Sequence, residues 1–361
     1  MITSQFYSSK YFSETYNEAR NKFCDAAKAA NAKLETIELY SQNCRNNSLY
    51  TDIAWLGNPK PHNVILHSSG LHGVEGFAGS AIQICVLKNL PVLRNEDALI
   101  LVHCLNPYGM INFRRVNASN VDLNRNFLFS SDEYSGSPNI YSKINSLINP
   151  DSPPVFDLFF LRALAIILKY GFVAVKQAVA NGQYDFPKGL FFGGIELQEE
   201  LVNYKEWLLK NLPLVKNICA IDVHTGLGRF ANDLLLIEEN CSHSDLEKLQ
   251  KHFGKERIKT PNPNKSVAYQ TKGSISQAIP QLLNRAKVNF LTQEFGTVSP
   301  ISVLFALREE NRNYHYGKND QSYSSVKIRL KEAFYPSSNI WRKKVLFRGL
   351  QLVHQSTKFI F

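Results

Sequence analysis

NVILHSSGLHGVEGFAGS, residues 63–80, decides how this chain folds. Its first half is a short apolar run that reads as a core strand, and its second half is a glycine-rich turn with His72 and Glu75 three residues apart. Gly70, Gly73, Gly76 and Gly79 ring that pair. Two metal-capable side chains on a turn after a strand suit a mononuclear zinc site, which takes three protein ligands and leaves a fourth position for water. A third ligand must then come from elsewhere in the chain.

Outward from that stretch, DALILVHCLN (97–106) is a second near-continuous apolar run, as in a strand covered on both faces. ELY (38–40), DIAWLG (52–57), NICAIDVHTG (217–226), DLLLIEE (233–239) and NFLTQEFGT (289–297) also read as strands. Helices are predicted over 10–33, 77–90, 155–182 and 195–211 and through most of the chain after 298, with a polar surface loop over 130–154. Strands alternating with helices predict an α/β fold: a mixed, mostly parallel central sheet with helices on both faces. No internal repeat or low-complexity linker divides it, so 1–361 is expected to be one domain, its core motifs in 63–297 and its helical end, 298–361, packed on them.

Sheets of this kind carry their functional groups on loops at the carboxyl ends of strands. LHGVEG, NPYG (106–109), HTG (224–226) and EFGT (294–297) each follow a predicted strand and could meet in one cleft. His72, Glu75 and His224 would supply two imidazoles and a carboxylate, a set that zinc favours.

The stretch RRVNASNVDLNRNF (114–127) joins these pieces. With it, the chain resembles the zinc carboxypeptidase superfamily, the carboxypeptidase A-like metallopeptidases. HGVE (72–75), NPYG, Arg115, DLNRN (122–126), DVHTG (222–226) and QEFGT (293–297) follow the family's order, and it is the ordered set rather than any single motif that carries the likeness. The resemblance implies one zinc ion held by His72, Glu75 and His224, with Asp122 steadying His72. It implies further that Arg115 faces the polarised carbonyl oxygen, that Asn124 and Arg125 bind a substrate carboxylate, and that Glu294 is the general base and acid. Family members bring a tyrosine from a loop before the catalytic glutamate, and Tyr269 is the nearest candidate here.

The chain departs from the peptidase pattern after His224. Thr225-Gly226-Leu227-Gly228 stands where the peptidases carry Ser-Tyr, closer to the deacylases of the same superfamily, the succinylglutamate desuccinylase and aspartoacylase type. The aromatic-rich segment NGQYDFPKGLFFGG (181–194) could cover the cleft as a lid. No Asp or Glu lies between Tyr269 and Glu294, which points to a neutral or acidic substrate end. His67 and His103 read as core histidines, and Asp222 shares a strand face with His224.

The formal charge of +10 could attract nucleic acid, but the basic residues are scattered, so no nucleic-acid partner is expected. The first residues show no basic region followed by an apolar one, and the most apolar stretch (155–175) contains Asp157, Arg162 and Lys169, which is costly at bilayer depth. Six cysteines without a CxxC pair fit reduced thiols. The expectation is a cytoplasmic zinc hydrolase that cleaves an amide bond, first a carboxypeptidase-like peptidase and second a deacylase of N-acyl amino acids. In either case the substrate is a peptide or N-acyl amino acid with a free carboxylate. A binding protein that keeps the fold without catalysis is the rival from another class, and retention of Glu294 with all three ligands argues against it.

Overall fold

The computed structural model describes residues 10–44, 47–153, 157–238, 241–260, 271–317 and 320–360. Its strands are β1 (Lys33–Cys44), β2 (Asn47–Gly57), β3 (Asn63–Ser69), β4 (Asp97–His103), β5 (Asn217–Thr225), β6 (Asp233–Leu236), β7 (Ile258–Lys259) and β8 (Lys287–Phe295). They form one sheet in the order β1-β2-β4-β3-β5-β8-β6-β7. The central β4-β3-β5-β8 block is parallel, β1 and β2 are added antiparallel on one side, and β6 pairs antiparallel with β8 on the other. The mixed, mostly parallel sheet is as expected.

The helices are α1 (Tyr16–Ala29), α2 (Gly76–Leu87), α3 (Pro107–Ile111), α4 (Asn139–Ile148), α5 (Phe159–Tyr170), α6 (Phe172–Ala180) and α7 (Glu199–Asn211). After these come α8 (His243–Phe253), α9 (Ile275–Leu282), α10 (Pro300–Tyr316), α11 (Asp320–Phe334) and α12 (Asn339–Ile360). Alternate side chains of each central strand enter opposite cores, because successive residues of a strand face opposite sides. Ile65, Leu99, Ile221 and Leu291 pack with Phe23 of α1, Ile82 of α2, Phe253 of α8 and Leu352 of α12. Val64, Leu66, Ile100 and Ala220 pack instead with Trp207 of α7 and Ile279 of α9. This double coverage is why β3 and β4 are buried along their whole length.

A third apolar cluster joins α4, α6, α10 and α11 through Ile144, Val179, Leu307 and Phe334. The long loop expected over 130–154 therefore contains a helix, α4, whose Tyr141, Ile144, Leu147 and Ile148 are buried at helical spacing. The single helix expected over 155–182 is two, separated at Gly171. Its backbone sits at φ +83°, which a residue without Cβ adopts at little cost and which a continuous right-handed helix excludes. Asp157, just before α5, pairs with Arg308 and Arg312 of α10, tying the start of this helical pair to the C-terminal helices.

Candidate metal centre and cleft

The chain runs from β3 into β4 on one side of β3 and places β5 on its other side. The point where a sheet changes direction in this way leaves a crevice at the carboxyl ends of its strands. His72 and Glu75 lie in the turn just after β3, and His224 is the next-to-last residue of β5. Gly73 lets the turn settle onto the NPYG loop: a Cβ there would lie 2.0 Å from the backbone carbon of Gly109. The amides of Gly73 and Val74 donate to the carbonyls of Arg115 and Arg114, which clamps the metal-capable turn to the arginine segment. Parallel register pairs His224 with Glu294 on β8.

One ligand atom each from His72, Glu75 and His224 can be chosen so that all lie within 4.8 Å of one another. His72 Nδ1 is 2.9 Å from Glu75 Oε1, His224 Nδ1 is 3.1 Å from His72 Nδ1, and His224 Nδ1 is 3.5 Å from Glu75 Oε2. Four ligands arranged tetrahedrally at zinc bond lengths of about 2.0–2.1 Å are about 3.3 Å apart, so the donor set fits one small divalent ion. The outer nitrogens support the fit. His72 Nε2 is 3.0 Å from Asp122 Oδ1, and His224 Nε2 is 2.6 Å from Asp222 Oδ2. Carboxylates hold the outer nitrogen of each ring and turn both Nδ1 atoms toward each other and toward Glu75. A cation bound there would take the place of the protons that otherwise bridge these atoms.

The charges around this centre are strongly coupled. Burial opposes ionisation of Glu75, yet His72, His224 and Arg115 outweigh it and hold the carboxyl below its ordinary range. Burial likewise opposes the charge on Asp122, which Arg115 and His72 keep well below the usual value. For His224, burial is overcome by Asp222 and Glu75, so its imidazole lies well above the usual value in the metal-free protein. Glu294 goes the other way: burial, reinforced by the charge of Glu75, pushes it up to about 8. A carboxyl near neutrality can both accept and return a proton. The Leu227 amide donates to its Oε1 at 2.8 Å.

Arg115 lies among these groups, donating from Nε to Asp122 and from Nη1 to Glu75, each at 3.0 Å. Asn124 lines the same cleft. Arg125 does not: it is fully buried, with Nε and Nη2 donating to the Ala180 carbonyl and Nη1 to that of Asn124. The carboxylate-binding fork expected of Arg125 is thus turned onto the carbonyl that ends α6. Tyr269 lies outside the described residues. Segment 181–194 packs against the DLNRN segment: Tyr184 donates to the Arg125 carbonyl and Asn126 to that of Gly193. Only Phe191 of that segment lines the cleft. α4, α5 and α6 supply much of its remaining wall. His67 and His103 are buried in β3 and β4, His67 against Gln83 and His103 against Ser80. Cys24, Cys85, Cys104, Cys219 and Cys241 carry free thiols.

Two charged lining residues were not singled out in the sequence. Glu238, just beyond β6, puts an acid in the cleft and accepts a hydrogen bond from Ser276, so the expected lack of an acid holds only for the segment between Tyr269 and Glu294. Lys176 of α6 also lines it and feels the charge of Glu294, while burial lowers its own affinity for a proton. Neither lies in a recognisable motif. Lys176 stands in an apolar helix, and that contrast is the signal available to a reader of the sequence.

Fold and site together define a protein with the zinc-carboxypeptidase fold. It overlays on thrombin-activatable fibrinolysis inhibitor with a TM-score of 0.51 at 11% identity, over 98% of this chain and 76% of that one. The carboxypeptidase A of Helicoverpa armigera matches with a TM-score of 0.46 at 13% identity, over 89% and 74%. Bovine thrombin-activatable fibrinolysis inhibitor, in complex with a tick carboxypeptidase inhibitor, matches with a TM-score of 0.43 at 12% identity, over 90% and 97%. The chain belongs to the DUF2817 family, described as a protein of unknown function, which it matches over residues 12–348. No curated protein is significantly similar to it in sequence. No helix among the described residues is long and apolar enough to cross a membrane.

Proposed function

We propose that the protein is a zinc-dependent hydrolase that cleaves amide bonds with a metal-activated water. The observation that carries this reading is the convergence of His72, Glu75 and His224 beside Glu294, from three separate strand ends. Zinc, when bound, supplies Lewis acidity that brings the pKa of its water down to about 7. Asp122 and Asp222 hold the two imidazoles in the tautomer that offers Nδ1. Glu294 takes the proton of the attacking water and returns it to the leaving amine, while Arg115 stabilises the negative oxygen that develops on the carbonyl.

Release of a C-terminal residue from a peptide is the first substrate reading, with Asn124 beside the substrate carboxylate. Hydrolysis of N-acyl amino acids is the second, and it is favoured by Thr225, Gly226 and Leu227, which line the cleft where the peptidases carry Ser-Tyr. The test is metal analysis of the purified protein together with a screen of peptides and N-acyl amino acids against the wild type and Glu294→Gln. The expected result is about one zinc per chain in both proteins and a kcat lower by roughly 10²- to 10⁴-fold in the variant. Unchanged hydrolysis by Glu294→Gln would remove the assigned base.

A further inference from the structure

Glu238 brings a carboxylate into the cleft at a distance from the metal centre that the sheet sets. β6 runs antiparallel to β8, with Leu234 opposite Glu294 and Leu236 opposite Thr292. The chain stays beside the sheet past β6, where the Ile237 amide donates to the Lys259 carbonyl. At about 3.3 Å per extended residue, Glu238, four residues beyond Leu234, stands roughly 13 Å along the sheet from Glu294. Ser274, Ser276 and Thr292 share the cleft with it, so this end is polar.

Hydrogen bonds locate Glu238 further. Ser276 Oγ donates to its Oε1, and the amide of the preceding residue, Ile275, donates to Asn124 Oδ1 at 3.1 Å. Asn124 and Glu238 therefore meet the same first turn of α9 from two distant parts of the chain. Among the described residues Glu238 pairs with no cation, and Lys176, the lysine that shares the cleft, feels the charge of Glu294 instead. A half-buried carboxylate held by a hydroxyl keeps lone pairs for a charged donor, and charge-assisted hydrogen bonds are the strong ones.

Resting on the amide-hydrolase reading above, we infer that Glu238 selects substrates whose carboxyl-terminal residue is lysine or arginine, with the α-carboxylate beside Asn124 and the ammonium or guanidinium on Glu238. The span between Glu294, where the bond is cut, and Glu238 asks for a long stem. An apolar side chain of that length would leave the carboxylate desolvated and unpaired, and the α-nitrogen is already engaged in the amide. The cavity is about 190 Å³, below the ~300 to 1,000 Å³ of ordinary small-molecule sites, which suits a single side chain better than a length of peptide. The reaction is hydrolysis: water oxygen bonds to the acyl carbon, the C–N bond breaks, the amine nitrogen gains a proton, and free lysine or arginine leaves.

The test compares lysine with norleucine, which has the same stem without the ammonium. N-acetylalanyl-lysine and N-acetylalanyl-norleucine probe the peptidase reading, and Nα-acetyllysine and N-acetylnorleucine the deacylase one. In the zinc-loaded wild type, kcat/KM for the lysine member of the better-cleaved pair is expected to be at least about tenfold higher. Glu238→Gln, which keeps the size of the side chain, should bring that ratio close to one, and Glu238→Asp, which keeps the charge, should restore part of it. Melting curves show which variants are folded, and the wild-type ratio is a test by itself. A smaller wild-type ratio, or an undiminished one in folded Glu238→Gln, overturns the inference and leaves the amide hydrolase standing. Calorimetric binding of the same compounds to the Glu294→Gln protein, with and without Glu238→Gln, separates the two readings. Lysine preference there that depends on Glu238, without hydrolysis by the wild type, upholds the inference and removes the hydrolase; equal binding without hydrolysis removes both.

Discussion

At the floor of the cleft Glu75 touches His72, His224, Arg115 and the Thr225 amide, and Asp122 touches His72, Arg115 and the Asn124 amide. In the roof, α5 turns Leu161, Leu164 and Leu168 to solvent and presents Ala163 and Ile167 to the cleft. The floor is ordered by directional, charged hydrogen bonds, which fail if one partner moves by an ångström. The roof is ordered by apolar contact, which tolerates exchange of one hydrocarbon for another. The two walls therefore differ in how much substitution each should tolerate.

The sharpest way to break the comparison is to remove one floor imidazole. His224→Ala leaves Asp222 and Glu75 buried, charged and short of a partner. The expected outcome is zinc below a tenth of an equivalent by mass spectrometry and hydrolysis at background. Retention of metal and activity would mean that the order of the floor serves packing alone.

The same contrast explains what the sequence reveals. The floor is written in short motifs, because a metal centre needs particular atoms at particular spacings, and His72, Glu75, Asp122, His224 and Glu294 could all be picked out before any coordinates. The central strands were legible for a related reason: burial on both faces demands unbroken apolar runs such as NVIL. The roof is written only in composition. Nothing in residues 155–182 marks Gly171 as a break rather than a tolerated helical glycine, since its φ of +83° is set by how α5 and α6 pack. The fate of Arg125 was equally hidden. DLNRN specifies a guanidinium near the cleft, while the Ala180 carbonyl that occupies it arrives from 55 residues away. Glu238 reaches the cleft from beyond an edge strand, outside every motif.

Acid sharpens the comparison next. His67 and His103, beneath the floor in β3 and β4, are held neutral by burial, which lowers each to about 4. The unfolded chain takes up those protons near pH 6.5, so between about 6.5 and 4 it binds more protons than the folded one. Their contribution to stability is therefore complete above pH 6.5 and lost as the pH falls toward 4. In chelator-treated protein, urea midpoints are expected to drop across that window by the equivalent of a few kcal/mol. Residues 157–182 of the roof contain no histidine. A midpoint flat from pH 7 to 4 would show that neither ring is buried as described.

A smaller effect is expected from Asp122→Asn, which keeps the size of the side chain and removes the charge that orients His72 and Arg115. Partners of this kind are typically worth about 10- to 100-fold in metal affinity. A competitive chelator titration should find a loss in that range with the fold retained. Loss of the fold itself would instead make Asp122 part of the framework, which its hydrogen bonds to Arg115 and the Asn124 amide also allow.

Smallest of all should be Leu168→Lys on the outer face of α5, where the side chain is 78% exposed. If the roof is held only by its inner contacts, adding a charge outside removes no buried area and leaves every floor hydrogen bond in place. Exposed substitutions of this kind usually change stability by less than about 0.5 kcal/mol, so the melting temperature should move by about 1–2 °C at most in a chain of this length. A large drop would mean that Leu168 is covered in solution, by a second copy or by another part of the roof, and the outer face would then be an interface rather than a free surface.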